Sequence, residues 1–286
     1  MRLLVCLGGS DMASKAPSYL RYGKELVSGI QKIAYRHPTY QIFQDWLEIS
    51  AIVISNSVDL ANFEEREKRY LELINKYNKE EQNALVELFT TFIMTLTDVV
   101  ETKGSPCDVL GEVFHGLELH NKYKGQFFTP NHICEFMGRA VIAGDTEEVI
   151  NERGFVSVCE PCVGSGALVL GLASAMADHK HNYQTEMIVT ACDIDIKCVH
   201  MAYLQLSLYG IPAKIIHGNS LTGEQWSIWY TPTYVVGLWA LRENTTIKDV
   251  TKAVDNKQEK LTPQVVEIPQ EEFELNVDEN GQMRLF

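Results

Sequence analysis

Glu160-Pro161-Cys162-Val163-Gly164-Ser165-Gly166 decides the fold of this chain, because it stands where an apolar, β-branched run stops and a helical run begins. Residues 155–160 before it have the composition of a buried strand, and 167–179 after it have the apolar spacing of a helix. Gly164 and Gly166 let the backbone turn tightly between the two and come close to a ligand. The open N–H groups at the start of the helix favour electron-rich atoms. Spacing alone makes this a weaker fingerprint than G-x-G-x-x-G, and a glycine-rich turn can also be no more than a turn.

Downstream, the same rhythm continues: 187–192 reads as a second strand, 196–209 as a second helix and 213–217 as a third strand. Short β-branched runs alternating with helices are the mark of βαβ units, so the expectation is an α/β fold built on a parallel sheet. The second strand ends in Asp193-Ile194-Asp195, roughly thirty residues after the glycine turn, where doubly wound folds place a carboxylate on ribose hydroxyls. Asp193 is the candidate ribose ligand, and Asp195 reads as the N-cap of the helix beginning near Ile196. The third strand runs into His217-Gly218-Asn219-Ser220-Leu221, where the Asn219 amide offers both a donor and an acceptor to the edge of a purine.

Upstream, Gly125-Gln126-Phe127-Phe128-Thr129-Pro130 leads into a helix, with Thr129 as expected N-cap and Pro130 at the first helical position. Ile133, Phe136, Met137 and Ala140 mark the expected apolar face of that helix. A hydrophobic staple accounts for one of the two aromatics, and the other is free to cover an apolar ligand group. Further back, Lys103-Gly104-Ser105-Pro106 breaks a helical pattern and is the expected boundary of an N-terminal helical domain. In that domain Ile42, Trp46, Ile49 and Val53 share one face. Leu85, Leu88, Phe89, Phe92, Ile93, Leu96, Val99 and Val100 trace a second stripe. The expected organisation is 1–103 helical, 106–245 carrying the sheet, and 246–286 a polar tail with six acidic residues against Arg284 after position 264.

The 286 residues can bury a substantial core, and their formal charge of −13 argues against a protein that grips DNA by itself, since such affinity is largely phosphate neutralisation. A basic partner or a local basic face would be needed. No apolar run approaches the ~18 residues of a membrane span, and the stretch 3–7 is shorter than a secretory core, so the expected location is the cytoplasm with no membrane partner. Seven scattered cysteines suit reduced, buried thiols better than disulfides. Cys159 and Cys162 form a C-x-x-C pair, but no second pair stands at zinc-ribbon spacing, so no metal site is expected.

Taken in order, Gly-Gln-Phe-Phe-Thr-Pro, Glu-Pro-Cys-Val-Gly-Ser-Gly, Asp-Ile-Asp and His-Gly-Asn-Ser-Leu resemble the cofactor half of the modification subunits of type I restriction-modification systems and their N6-adenine DNA methyltransferase relatives. The likeness is close over 106–221 and loose over the helices before it. It implies a Rossmann-like, class I methyltransferase sheet and S-adenosylmethionine as cofactor. Phe128, Thr129 and Pro130 would lie near its methionine moiety, Glu160, Gly164 and Gly166 would line it, Asp193 would hold the ribose and Asn219 would sit beside the adenine. DNA and a specificity subunit follow as partners. Members of this family carry Asn/Asp-Pro-Pro-Phe/Tyr after the fourth strand, where the polar residue and proline carbonyl take the target amine's hydrogens and the aromatic stacks on a flipped adenine. That tetrapeptide is absent here. The nearest stretch is Thr231-Pro232-Thr233-Tyr234, in which Tyr234 would stack on a base, Pro232 would offer its carbonyl, and Thr231 falls short of an Asn or Asp acceptor.

Two functions follow from different classes. One is a DNA adenine-N6 methyltransferase using Thr231, Pro232 and Tyr234. The other is a catalytically degenerate methyltransferase fold that binds the cofactor or a DNA-associated partner. Methylation of a protein or small molecule ranks behind both, because the motif order is that of the DNA enzymes. The last residues, Gln282-Met283-Arg284-Leu285-Phe286, resemble the peptide by which bacterial replication and repair proteins bind the sliding clamp, with Gln282 in one subsite and Leu285 and Phe286 in an apolar one. The alternative is a C-terminal anchor on the protein's own core.

Overall fold

A computed structural model describes residues 22–117, 129–142 and 146–242. All of them belong to one compact unit. Four helices open it: α1 (Lys24–Ile33), α2 (Thr39–Asn56), α3 (Phe63–Ile74), preceded by a short 3-10 turn over Leu60–Asn62, and α4 (Lys79–Lys103). Helix α4 starts in a capping box, in which the Asn78 side chain accepts from the Glu81 N–H at 2.9 Å and the Glu81 carboxylate accepts from the Asn78 N–H at 2.8 Å. It stops at Gly104, whose φ of 77° only a glycine adopts without strain. Long and apolar enough to match a membrane span by length, α4 instead turns Leu85, Leu88, Phe92, Leu96 and Val99 into the core. In α2, Ile42, Trp46 and Ile49 are buried as the spacing requires, while Val53 is half exposed.

Three more helices, α5 (Val109–Gly116), α6 (Asn131–Ile142) and α7 (Thr146–Arg153), lead into the alternating part: β1 (Val156–Glu160), α8 (Ala167–Asp178), β2 (Met187–Asp193), α9 (Ile196–Leu208), β3 (Ala213–Asn219) and β4 (Glu224–Tyr230). Two short helices, α10 (Pro232–Val236) and α11 (Trp239–Arg242), close the described chain. The expected α/β class with helices in front of the sheet is therefore the observed one. Strand order is β1-β2-β3-β4, with the first three parallel and joined by α8 and α9. Strand β4 folds back antiparallel on β3 through a turn at Gly223.

The chain changes rhythm at 103–106, yet the hydrophobic core does not. One cluster runs from Leu26 in α1 through Trp46 and Phe92 of the helices to Ile215 and Trp229 of the sheet. Phe43 of α2 meets Phe114 of α5 at 6.3 Å, and Trp46 meets Phe92 edge-on at 5.7 Å. Arg66 of α3 reaches across to the sheet, donating to the Ile228 carbonyl at 2.9 Å and lying 4.1 Å over the Trp229 ring. Its charge is matched by Asp59 at 2.6 Å and it also donates to Ser55. The helices thus back the sheet directly.

Helix α6 differs from the expectation in which face it buries. Cys134, Gly138 and Ile142 point inward, and Ile133, Phe136, Met137 and Val141 are exposed, Phe136 by 71%. The reason is the partner. A Cβ on Gly138 would run into the backbone of Gly171 in α8, and one on Gly171 would run into Cys134, so only small residues permit this approach and the larger apolar side chains face outward.

Candidate cofactor site at the strand ends

The carboxyl ends of β1, β2 and β3 lie side by side, which brings Glu160, Gly164, Gly166, Asp193 and Asn219 to one edge of the sheet. Between β1 and α8 the chain makes two left-handed steps, at Gly164 (φ 56°) and Gly166 (φ 96°). The turn is held from the neighbouring strand: Val163 N–H donates to the Cys192 carbonyl at 2.9 Å, and Gly164 N–H to the Asp193 carboxylate at 2.9 Å. The other oxygen of Asp193 accepts from the Asp195 N–H at 2.9 Å. Asp193 therefore shapes the turn as well as facing its edge. Glu160 takes the Cys162 N–H at 3.1 Å.

Asp195 caps α9, accepting from Lys197 N–H at 3.0 Å and pairing with its ammonium at 3.0 Å. Between the two aspartates, Ile194 is 61% exposed. Asn219 uses its side-chain oxygen on the Leu221 N–H at 3.0 Å, and Leu221 is 96% exposed. Ile194, after β2, and Leu221, after β3, thus leave large apolar side chains in solvent beyond the strand ends. Thr129 and Pro130 are exposed at the start of α6, where the Pro130 carbonyl, rather than Thr129, receives the first helical N–H groups, from Ile133 at 2.9 Å and Cys134 at 3.2 Å. Phe128 lies outside the described residues, as do Gln282, Leu285 and Phe286.

Thr231, Pro232 and Tyr234 are elsewhere. Because β4 runs antiparallel to β3, its end sits beside the beginning of β3: Tyr230 pairs with Lys214, and Thr231 N–H donates to the Ala213 carbonyl at 3.0 Å. That is the sheet edge opposite Asn219. Thr231 is 0% exposed, and its hydroxyl accepts from Ala213 N–H and donates to the Ile211 carbonyl, both at 2.9 Å. Tyr234 is 6% exposed, stacked on Tyr230 at 5.2 Å within a small cluster of Phe155, Ile188 and Trp239. Its ring is covered by the protein's own side chains. The physical reason is the turn at Gly223, which reverses the chain before Thr231.

The cysteines also depart from expectation in part: Cys107, Cys134 and Cys198 are buried, while Cys159 and Cys162 are exposed. None of the six described cysteines, Cys192 included, is in a disulfide, and among the described residues no group of His, Cys, Asp or Glu could hold a metal ion. Burial raises the proton affinity of Cys192, and the Asp193 charge adds to it.

Three comparisons accompany this geometry. The family described as N-6 DNA Methylase matches residues 107–272. Among solved structures, the type I restriction-modification system methyltransferase subunit from Streptococcus thermophilus is similar at 14% identity and a TM-score of 0.35, over 73% of this chain and 60% of that one. The chain thus spans about three fifths of the length of that relative. No curated protein matches the sequence. Since the family's match takes in more than half of the residues, including every described strand and the strand-end site, this chain belongs to the N-6 DNA methylase family.

Proposed function

We propose that the chain carries the S-adenosylmethionine-binding part of an adenine-N6 DNA methyltransferase of the type I modification kind, acting in the cytoplasm on DNA. The observation that carries this reading is the clasp of Asp193 on Gly164 at the carboxyl ends of parallel strands, in a chain of this family. The donors there suit the cofactor. A carboxylate whose two oxygens each take one N–H has lone pairs left for vicinal ribose hydroxyls. Ile194 and Leu221 offer apolar surface to an adenine ring beside Asn219, and the Glu160 carboxylate favours a cationic methionine moiety running toward Thr129 and Pro130. When bound, S-adenosylmethionine supplies an already activated methyl group. The protein's part is then alignment and shielding from water rather than acid–base work, with Gly164 and Gly166 giving the backbone its close approach.

On the substrate side, Thr231, Pro232 and Tyr234 serve the packing of β4 against β3 and not the target base. The acceptor for the adenine amine comes from residues beyond those described or from a partner, of which a specificity subunit would also add basic surface to a chain of net charge −13. The burial of Thr231 also favours the second reading, a cofactor-binding partner without transfer of its own. Tritiated-methyl transfer to unmethylated DNA, with and without host extract, separates the two. Counts in N6-methyladenine support the enzyme, and cofactor binding with no counts in either arm supports the partner.

A further inference from the structure

Asp108 is fully buried and sits outside every motif discussed above. We propose that Asp108 is a positioning residue for the S-adenosylmethionine site, fixing the glycine turn at a set distance from the Thr129–Pro130 wall. The inference rests on the cofactor reading and adds to it a residue that does not touch the ligand.

Its carboxylate reaches the turn at Ser165, the residue after the Gly164 that Asp193 holds. One oxygen accepts from the Ser165 hydroxyl at 2.5 Å, and the other accepts from Gly111 N–H at 2.7 Å and from the Gln205 amide at 2.8 Å. Gln205, in α9, donates with the same nitrogen to the Ser165 carbonyl at 2.8 Å and accepts from the Val109 and Leu110 N–H groups. Ser165 is thus held by both its hydroxyl and its carbonyl, between the two glycines of the turn. The backbone of Asp108 holds the second wall: its N–H donates to the Asn131 side-chain oxygen at 3.0 Å, and its carbonyl accepts from the Asn131 amide at 3.2 Å. Asn131 follows Pro130 directly. One residue therefore ties the turn, α9 and the start of α6 together.

Capping alone does not require this arrangement. Asp195 caps α9 from a partly solvated position, whereas Asp108 caps the eight-residue α5 from full burial, where an ionised carboxylate is costly unless several donors face it. Burial raises its proton affinity, and the bonds from Ser165, Gln205 and Gly111 act against that. Gly111 is the residue that makes room, since a Cβ there would collide with the Asp108 carboxylate.

The test uses the full chain and isothermal titration with S-adenosylmethionine, comparing Ser165→Ala with Ser105→Ala. The Ser105 hydroxyl bonds that of Ser174 at 2.9 Å, so its loss also removes one buried hydroxyl bond, but away from the turn. Both variants should melt slightly lower than wild type. Ser165→Ala should bind the cofactor about five- to tenfold more weakly, less than the full worth of a charge-assisted bond because the lost bond acts on the turn and not on the ligand, and Ser105→Ala should bind like wild type. Asp108→Asn should follow Ser165→Ala, and if it does not fold, the serine pair still decides. Wild-type affinity in Ser165→Ala, or equal weakening in both serine variants, overturns the positioning role. Absence of binding by the wild type removes the cofactor reading itself, which is a different result.

Discussion

Replacing Thr231 by Val keeps the shape of the side chain and removes only its hydroxyl, which makes it the sharpest probe of how β4 is attached. Two bonds at 2.9 Å disappear with it. Ala213 N–H is left buried with no acceptor, at about 1–3 kcal/mol. The N-cap of α10 is lost as well, at about 0.5–2 kcal/mol, a weaker contribution here because the bond to Tyr234 N–H is long at 3.4 Å. Together these give about 2–4 kcal/mol, or a fall of roughly 4–16 °C in melting midpoint at about 2–4 °C per kcal/mol for a unit of this size. Differential scanning calorimetry measures it, with Thr231→Ser, which retains the hydroxyl, expected close to wild type. Cofactor affinity of the folded Val variant should be unchanged, because the residue lies on the far edge of the sheet. A melting midpoint within a degree of wild type, or an affinity loss without a stability loss, refutes the reasoning. By the same geometry Thr231→Asn, the substitution that would restore a family acceptor if the alignment were right, should destabilise the fold and add no methyl transfer.

Further consequences concern the helix–sheet contact and acid stability. Arg66→Ala should cost about 3–5 kcal/mol, since it leaves Asp59 as a buried charge and takes the donor from the Ile228 carbonyl; chemical denaturation that moves by less than 1 kcal/mol would show that this pair carries little. His200 is buried against Trp229 at 4.8 Å, and burial depresses its pKa to about 3 from an ordinary 6.5. A base with a depressed folded pKa binds its proton in the unfolded chain first. This residue alone should therefore remove stability as pH falls from about 6.5 toward 3, at about 1.4 kcal/mol per pH unit. His200→Leu should flatten that part of a stability–pH curve, and an unchanged slope would mean that the ring is protonated in the folded state.

The parallel strands are legible because 187–191 and 213–216 are mostly buried and apolar, broken only by Thr190 and Lys214, and are followed by polar turns. Asp195 is legible as the cap of α9 from its position alone. Strand β4 is harder to see, because Trp226, Ile228 and Tyr230 alternate with polar Gln225 and Ser227 and with Trp229, the single buried residue of a mostly exposed or half-buried strand. The match of Thr231-Pro232-Thr233-Tyr234 to a motif after the fourth strand carries no strand direction, and the antiparallel return of β4 sets which edge its end reaches. The α6 face was read by hydrophobicity, whereas close helix packing selects small residues, and a sequence does not say which stripe meets the neighbour. Asp108 gave no local signal at all, since its partners lie 57 and 97 residues away.

The central claim, that the strand-end site holds S-adenosylmethionine through Asp193, is tested most directly by equilibrium titration of the full chain and of Asp193→Ala with the cofactor. Thermal melts alongside would confirm that both proteins are folded at the temperature used. The account predicts one site per wild-type chain and an affinity at least about tenfold weaker in the variant, from the loss of about 1.5–3 kcal/mol of charge-assisted hydrogen bonding. No binding by folded wild type, or equal affinity in the two proteins, would contradict it.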